Sequence, residues 1–113
     1  MSDATVDLAT FSELQESAGA DFVKELVQTF LEEAPVMLQE LREALAAGNA
    51  DAFRRAAHSL KSNSLTFGAV TLGAMAREQE LGGLAAAQAP DALDALAQEY
   101  DRVAAALIEL SHG

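Results

Sequence analysis

The chain contains no cysteine, which excludes disulfides, zinc-thiolate centres and thiol nucleophiles, and fits a reducing, cytoplasmic setting. No stretch approaches the roughly 20 consecutive apolar residues that span a bilayer. Residues Met1 to Thr10 are short and polar, without the apolar core of a secretory signal. Basic residues are scarce too: seven Lys and Arg stand against 18 Asp and Glu, for a net charge of -11. So acidic a chain disfavours nucleic acid and anionic lipid, which leaves proteins as the expected partners. There is no Gly-rich nucleotide loop, Walker lysine motif or ATP-binding α/β pattern, so a self-sufficient kinase is excluded. A Ser-His-Asp arrangement with the turn that activates a nucleophilic serine is missing as well.

What the chain does have is helical patterning. Half of its 113 residues are hydrophobic, enough for one modest core and hence a single domain over residues 1-113. Apolar residues recur at spacings of three and four, and no stretch alternates apolar with polar as a half-buried strand does. Thr10 with Glu13 reads as the capping box of a short first helix, a lid carrying Phe11 and Leu14 and closed by Gly19. From about Asp21 to Ala47, a stripe of Phe22, Leu26, Phe30, Met37, Leu41 and Leu45, widened by Val23, Val27 and Leu38, predicts the longest helix. Pro35 inside it removes a backbone hydrogen bond and crowds the carbonyl of Leu31, so a kink is expected there rather than a break.

Gly48 stops that helix and Asn49 caps the next, which runs from about Ala50 to Phe67 and ends at Gly68. A fourth helix extends from about Ala69 to Gly82 or slightly beyond, its end blurred by Gly82-Gly83, with Met75 and the alanines Ala74 and Ala76 facing the third. Pro90-Asp91 opens the last helix, whose Leu93, Leu96, Tyr100, Val103, Leu107 and Leu110 form a bundle seam. Short connections between four longer helices predict an all-α fold, an antiparallel up-down four-helix bundle with a short additional N-terminal helix. Met1 followed by a complete bundle suits a free-standing protein.

Three of the seven basic residues fall within eight positions, in the run Arg54-Arg55-Ala56-Ala57-His58-Ser59-Leu60-Lys61-Ser62. On a helical wheel centred on Leu60, residues Phe53, Ala56, Ala57, Ser64 and Phe67 lie within about 60° and form the core face. His58 falls about 160° away, among Arg54, Arg55, Lys61, Ser62 and Leu65. The imidazole therefore projects to solvent with cations one turn on either side. A neutral ring in that position can attack phosphorus, and those cations would hold the product phosphate. Ser62 is too small to crowd the ring, and Leu65 is an exposed apolar residue that a docking partner could cover. The plainer alternative is a solvated histidine on a polar helix face.

The run His58-Ser59-Leu60-Lys61-Ser62-Asn63-Ser64-Leu65-Thr66-Phe67-Gly68-Ala69 resembles the signature of histidine-containing phosphotransfer (HPt) domains, His-x-Leu-Lys-(Gly or Ser)-x-Ser-x-x-x-Gly-Ala, at every specified position. Phe22-Val23-x-x-Leu26, Glu33-Ala34-Pro35 and Gly48-Asn49 are similar to the family as well, so the likeness covers most of the chain. It implies a phosphorelay intermediate. His58 would accept a phosphoryl group on Nε2 from a receiver-domain phospho-aspartate and pass it, reversibly, to an aspartate of another receiver. The resemblance further implies that Lys61 supports the phosphate and that Ser62 occupies the small-residue position, usually glycine, that leaves the ring accessible. Some members orient the imidazole with a Gln or Glu 22 residues downstream; an ungapped count reaches Glu80, with Gln79 one register slip away.

Arg54 and Arg55 lie outside the motif. Charge and geometry assign them to phosphate support, complementing the acidic Mg²⁺-holding pocket of a receiver; solubilising helix residues are the alternative. The expected partners are response-regulator receivers and a hybrid histidine kinase. The chain itself would carry no metal or cofactor, since Mg²⁺ belongs to the receiver. A competing reading is an adaptor bundle that docks on a receiver or kinase without being phosphorylated, against which the retained His58 and Lys61 argue. A carboxylate-bridged metal enzyme is rejected: Glu109-Leu110-Ser111-His112 supplies one Glu-x-x-His pair in the last five residues, where a dinuclear centre needs two such pairs.

Overall fold

The computed structural model describes residues 5–88 and 91–112, apart from the side chain of His112. The helices are α1 (Leu8–Ala18), α2 (Ala20–Ala47), α3 (Ala50–Thr66), α4 (Val70–Ala87) and α5 (Ala92–His112). Among the described residues there is no strand, and no helix is long and apolar enough to cross a membrane. Helix α3 packs most extensively on α4, and further contacts of α2 with α3, α4 with α5 and α5 with α2 close a ring around the core. Pro90, expected at the start of the last helix, lies outside the described residues.

Helix α1 begins earlier than the Thr10 and Glu13 pair suggests. Its N-cap is Asp7, whose carboxylate accepts from the Thr10 N–H at 3.2 Å and from the Thr10 hydroxyl at 2.5 Å. A carboxylate caps an N-terminus with a full negative charge against the helix dipole, so it takes the position ahead of threonine. Val6 and Phe11 are buried, and the Asp7 N–H donates to the Gly68 carbonyl at 2.7 Å, tying α1 to the corner between α3 and α4. Gly68 has φ +82°, and a Cβ there would stand 2.9 Å from the Asp7 carbonyl oxygen. Both the turn and the close approach therefore require glycine.

Helix α2 runs unbroken for 28 residues through Pro35. Proline has no N–H for the Leu31 carbonyl, and the Tyr100 hydroxyl of α5 donates to that oxygen at 3.4 Å. The same tyrosine ring packs edge-on against Phe30, centroids 5.8 Å apart, and Phe30 against Phe67 at 5.4 Å. The buried stripe of α2 is Val23, Val27, Phe30, Ala34, Leu41 and Ala44. Phe22, assigned to that stripe from the sequence, is instead 51% exposed. It sits one residue, or about 100° of helix, from Val23, and only one of the two can face the core.

Gly48 ends α2 in the left-handed conformation, and the Asn49 side chain caps α3 by accepting from the Ala52 N–H at 3.1 Å. The core face of α3 is Phe53, Ala56, Ala57, Leu60 and Ser64, and the Ser64 hydroxyl satisfies itself on the Leu60 carbonyl at 2.6 Å. Helix α4 meets α3 with Leu72, Gly73 and Ala76 buried, whereas Ala74 faces out. Its axis changes direction at Gly83 (φ 63°, ψ -152°), a conformation open essentially to glycine alone. In α5, Leu93, Leu96, Tyr100, Val103 and Leu107 are buried and Leu110 partly so, as the seam requires. Fully buried leucines such as Leu41, Leu60 and Leu96 stabilise by about 1.5–3 kcal/mol each through removal from water.

Candidate functional site

The burial of Leu60 decides where His58 points. With Leu60 fully in the core, the residue two positions earlier must face outward, and the His58 side chain is 57% exposed on the flank of α3. Helix α4 runs beside it in the opposite direction and brings up Glu80. One oxygen of that carboxylate lies 2.7 Å from His58 Nδ1, and the other lies 2.9 Å from Lys61 Nζ. The exposed ring thus stands on a sheltered base, since Glu80 is only 15% and Lys61 22% exposed.

A carboxylate can only accept, so in the neutral ring the proton sits on Nδ1 and the lone pair on Nε2. The hydrogen bond from Lys61 first, and that from His58 second, hold the Glu80 carboxyl below the usual carboxylate range. Glu80 is therefore ionised at neutral pH, and the ring nitrogen it leaves unengaged belongs to an exposed side chain. That nitrogen is a nucleophile, or a point of attachment for an electrophilic group, held in one tautomer and one orientation.

The cations expected to surround His58 are not free. Lys61 is engaged with Glu80. Arg54 and Arg55 both turn to Asp51, one to each carboxylate oxygen, at 2.8 and 3.3 Å. These pairs at helical spacings of three and four arise because Asp51 lies one turn before the arginines. The expected ring of uncompensated positive charge is corrected to three cations, each facing a carboxylate. Arg55 moreover lines an open groove of about 430 Å³ between α2 and α3, with Glu40, Glu43 and Ser59, on the flank toward α2.

Ser62 is exposed one turn beyond His58, and Leu65 is 47% exposed two turns beyond it. Leu65 is also a packing residue, because its side chain lies against the backbone of α4 at Gly73. Gln79, offered from the sequence beside Glu80, is corrected: it is buried, lines a cavity between α4 and α5 with Met75 and Leu96, and its Oε1 meets no hydrogen-bond partner among the described residues. One step of about 100° along the helix separates the residue that reaches the imidazole from the one that faces inward. Asp51 and Gly73 were not singled out from the sequence. Asp51 could have been found by extending the basic window one turn upstream; no sequence feature marks the space that Gly73 leaves.

The Hpt domain family model matches residues 25–106, an interval that contains His58, Lys61 and Glu80. In three dimensions the chain is similar to the crystal structure of histidine-containing phosphotransfer protein B from Pseudomonas aeruginosa, with a TM-score of 0.86 and 28% sequence identity. The alignment covers 98% of this chain and 97% of that one. No curated protein matches the chain.

Proposed function

Because the chain belongs to the Hpt domain family, and is thereby a histidine phosphotransfer intermediate of phosphorelays rather than a kinase, we propose that His58 is its phosphoacceptor. The observation that carries this reading is the 2.7 Å contact of Nδ1 with Glu80, which leaves the Nε2 lone pair on an exposed ring. Partners of such an intermediate are phosphorelay proteins such as receiver domains and kinases.

In the forward step the Nε2 lone pair attacks the phosphorus of a receiver's aspartyl phosphate in line with the leaving oxygen. An N–P bond forms, the P–O bond to the aspartate breaks, and the electron pair departs with the carboxylate. The phosphorylated ring carries a positive charge with its proton still on Nδ1, and the Glu80 carboxylate neutralises that charge at hydrogen-bond distance. Lys61, already within 2.9 Å of Glu80, lies one turn along α3 and offers its ammonium to the phosphoryl oxygens. In the reverse step an aspartate oxygen of another receiver attacks phosphorus and the N–P electrons return to Nε2. Ser62 keeps the approach to the ring open, and Leu65 with its half-exposed side chain contributes to receiver docking.

Arg54 and Arg55 act at the edge of that interface, exchanging Asp51 for acidic groups of the receiver. Mg²⁺ is the receiver's contribution, and this chain brings no cofactor of its own. Helices α2 to α5 form the antiparallel up-down four-helix bundle, α1 is the added N-terminal helix, and residues 1-113 are one domain. The setting is the cytoplasm, which a cysteine-free chain suits.

Incubation with a phosphorylated receiver tests the proposal. Label is expected on the chain, stable to base and labile to acid, and chased off by a second receiver; a His58→Gln variant that still takes up label would refute it.

A further inference from the structure

Glycine inside a helix weakens it relative to alanine unless the missing side chain serves a purpose. Gly73 has no positive φ to explain it; among the described residues the glycines that do are Gly19, Gly48, Gly68 and Gly83. What Gly73 provides is space toward the neighbouring helix, whereas the close Cβ contact at Gly82 is with Ala86 of its own helix. A Cβ built there would meet Leu65 Cδ2 at 2.6 Å and Cγ at 3.0 Å, while the next atom, the Lys61 carbonyl oxygen, lies at an ordinary 3.8 Å. The side chain of Leu65 therefore rests directly on the α4 backbone.

That contact is in register with the functional site. Leu65 follows His58 by seven residues on α3, and Gly73 precedes Glu80 by seven on α4. On two helices running in opposite directions, the Leu65 and Gly73 contact and the His58 and Glu80 contact lie two turns apart on one seam, with Lys61 between them. Hydrogen bonds of 2.7 and 2.9 Å weaken within a few tenths of an ångström, so the separation of α3 and α4 decides whether Glu80 holds both partners.

We propose that Gly73 is a positioning residue for the phosphoacceptor: by admitting Leu65 against the α4 backbone, it holds the two helices at the separation from which Glu80 fixes the His58 ring. This rests on the phosphotransfer reading for its consequence, although the geometry can be read without any transfer. Leu65 is accordingly a spacer within the seam and not solely a docking residue.

The test uses the full chain, free of any receiver, labelled with ¹⁵N. In Gly73→Ala the His58 ring nitrogens should lose the shift pattern of a single Nδ1–H tautomer and move toward that of Glu80→Ala. Helix content should be retained, because alanine favours the helix. Phosphoryl transfer should fall by about tenfold, the scale of a sub-ångström to ångström misplacement. Adding Leu65→Ala to Gly73→Ala removes the one close contact and should restore the parent tautomer. A parent-like tautomer in Gly73→Ala, showing that Leu65 merely swings aside, overturns the proposal, and so does a double variant that folds without recovering it. Failure of the parent chain to accept phosphate would sink the functional reading while leaving the tautomer result standing.

Discussion

Glu80 and His58, 22 residues apart in sequence, meet at 2.7 Å across the seam between α4 and α3. The contact fixes which ring nitrogen carries the proton, and the same carboxylate collects Lys61 on its other oxygen at 2.9 Å. Orientation, tautomer and charge at the exposed ring therefore depend on one side chain.

Removing that side chain by Glu80→Ala should slow transfer from a phosphorylated receiver by about ten- to a hundredfold, the range expected when a reacting group loses its orientation. Glu80→Gln keeps an acceptor oxygen and should be milder, although it leaves Lys61 without its counter-charge. Rapid-quench measurement of the single transfer step checks both, and a parent-like rate in Glu80→Ala would separate the contact from the chemistry.

The site should resist acid longer than a free carboxylate does. The Glu80 carboxyl is held low by Lys61 first and His58 second. A depressed folded-state value contributes stability that is present above the ordinary carboxylate range and is lost as pH falls through the lowered value. A ¹³C titration of the Glu80 carboxyl should therefore give a midpoint below that of an unstructured glutamate. Lys61→Met, which removes the larger cause, should move the midpoint upward; an unmoved midpoint would contradict the assignment.

The same physics explains what could be read in the chain beforehand. The spacing of Phe53, Ala56, Leu60 and Ser64 sets the core face of α3, so the outward direction of His58 follows from one helix taken alone. Gly48-Asn49 announces a stop and a cap through chemistry local to those residues. Features that depend on two elements were less visible. Phe22 and Val23 are both apolar, and only the neighbouring helices decide which is buried. Gln79 and Glu80 differ by one residue, and the packing of α4 on α5 sends the glutamine inward. Arg54 and Arg55 read as a free basic patch until Asp51 is placed one turn upstream. The leucine resting on Gly73 leaves no trace in composition or period.

Asp51 tempers two arginines at once, so Asp51→Asn should strengthen long-range attraction to an acidic receiver. The association rate is expected to rise roughly two- to threefold at low salt, with the gain vanishing as salt screens the exposed charges. Stopped-flow association across a salt series measures this. A decrease at low salt would mean instead that Asp51 aligns the arginines for docking.

Tyr100 and Pro35 should prove energetically coupled. Tyr100→Phe removes the donor to the Leu31 carbonyl that proline leaves without a backbone partner, at a cost of about 1 kcal/mol. In a Pro35→Ala background the restored N–H can take that carbonyl, so the same tyrosine change should be nearly neutral. Denaturant unfolding of the four proteins closes the cycle; additive effects would show that the hydroxyl contributes nothing to the proline site.

The most direct measurement is the position of the phosphoryl group on the imidazole, read by phosphorus-nitrogen coupling in the ¹⁵N-labelled chain after reaction with a phosphorylated receiver. Phosphorus coupled to Nε2 of His58, with Nδ1 still protonated toward Glu80, is the predicted result. Phosphorus on Nδ1, on another residue, or nowhere on the chain despite a competent donor would contradict it.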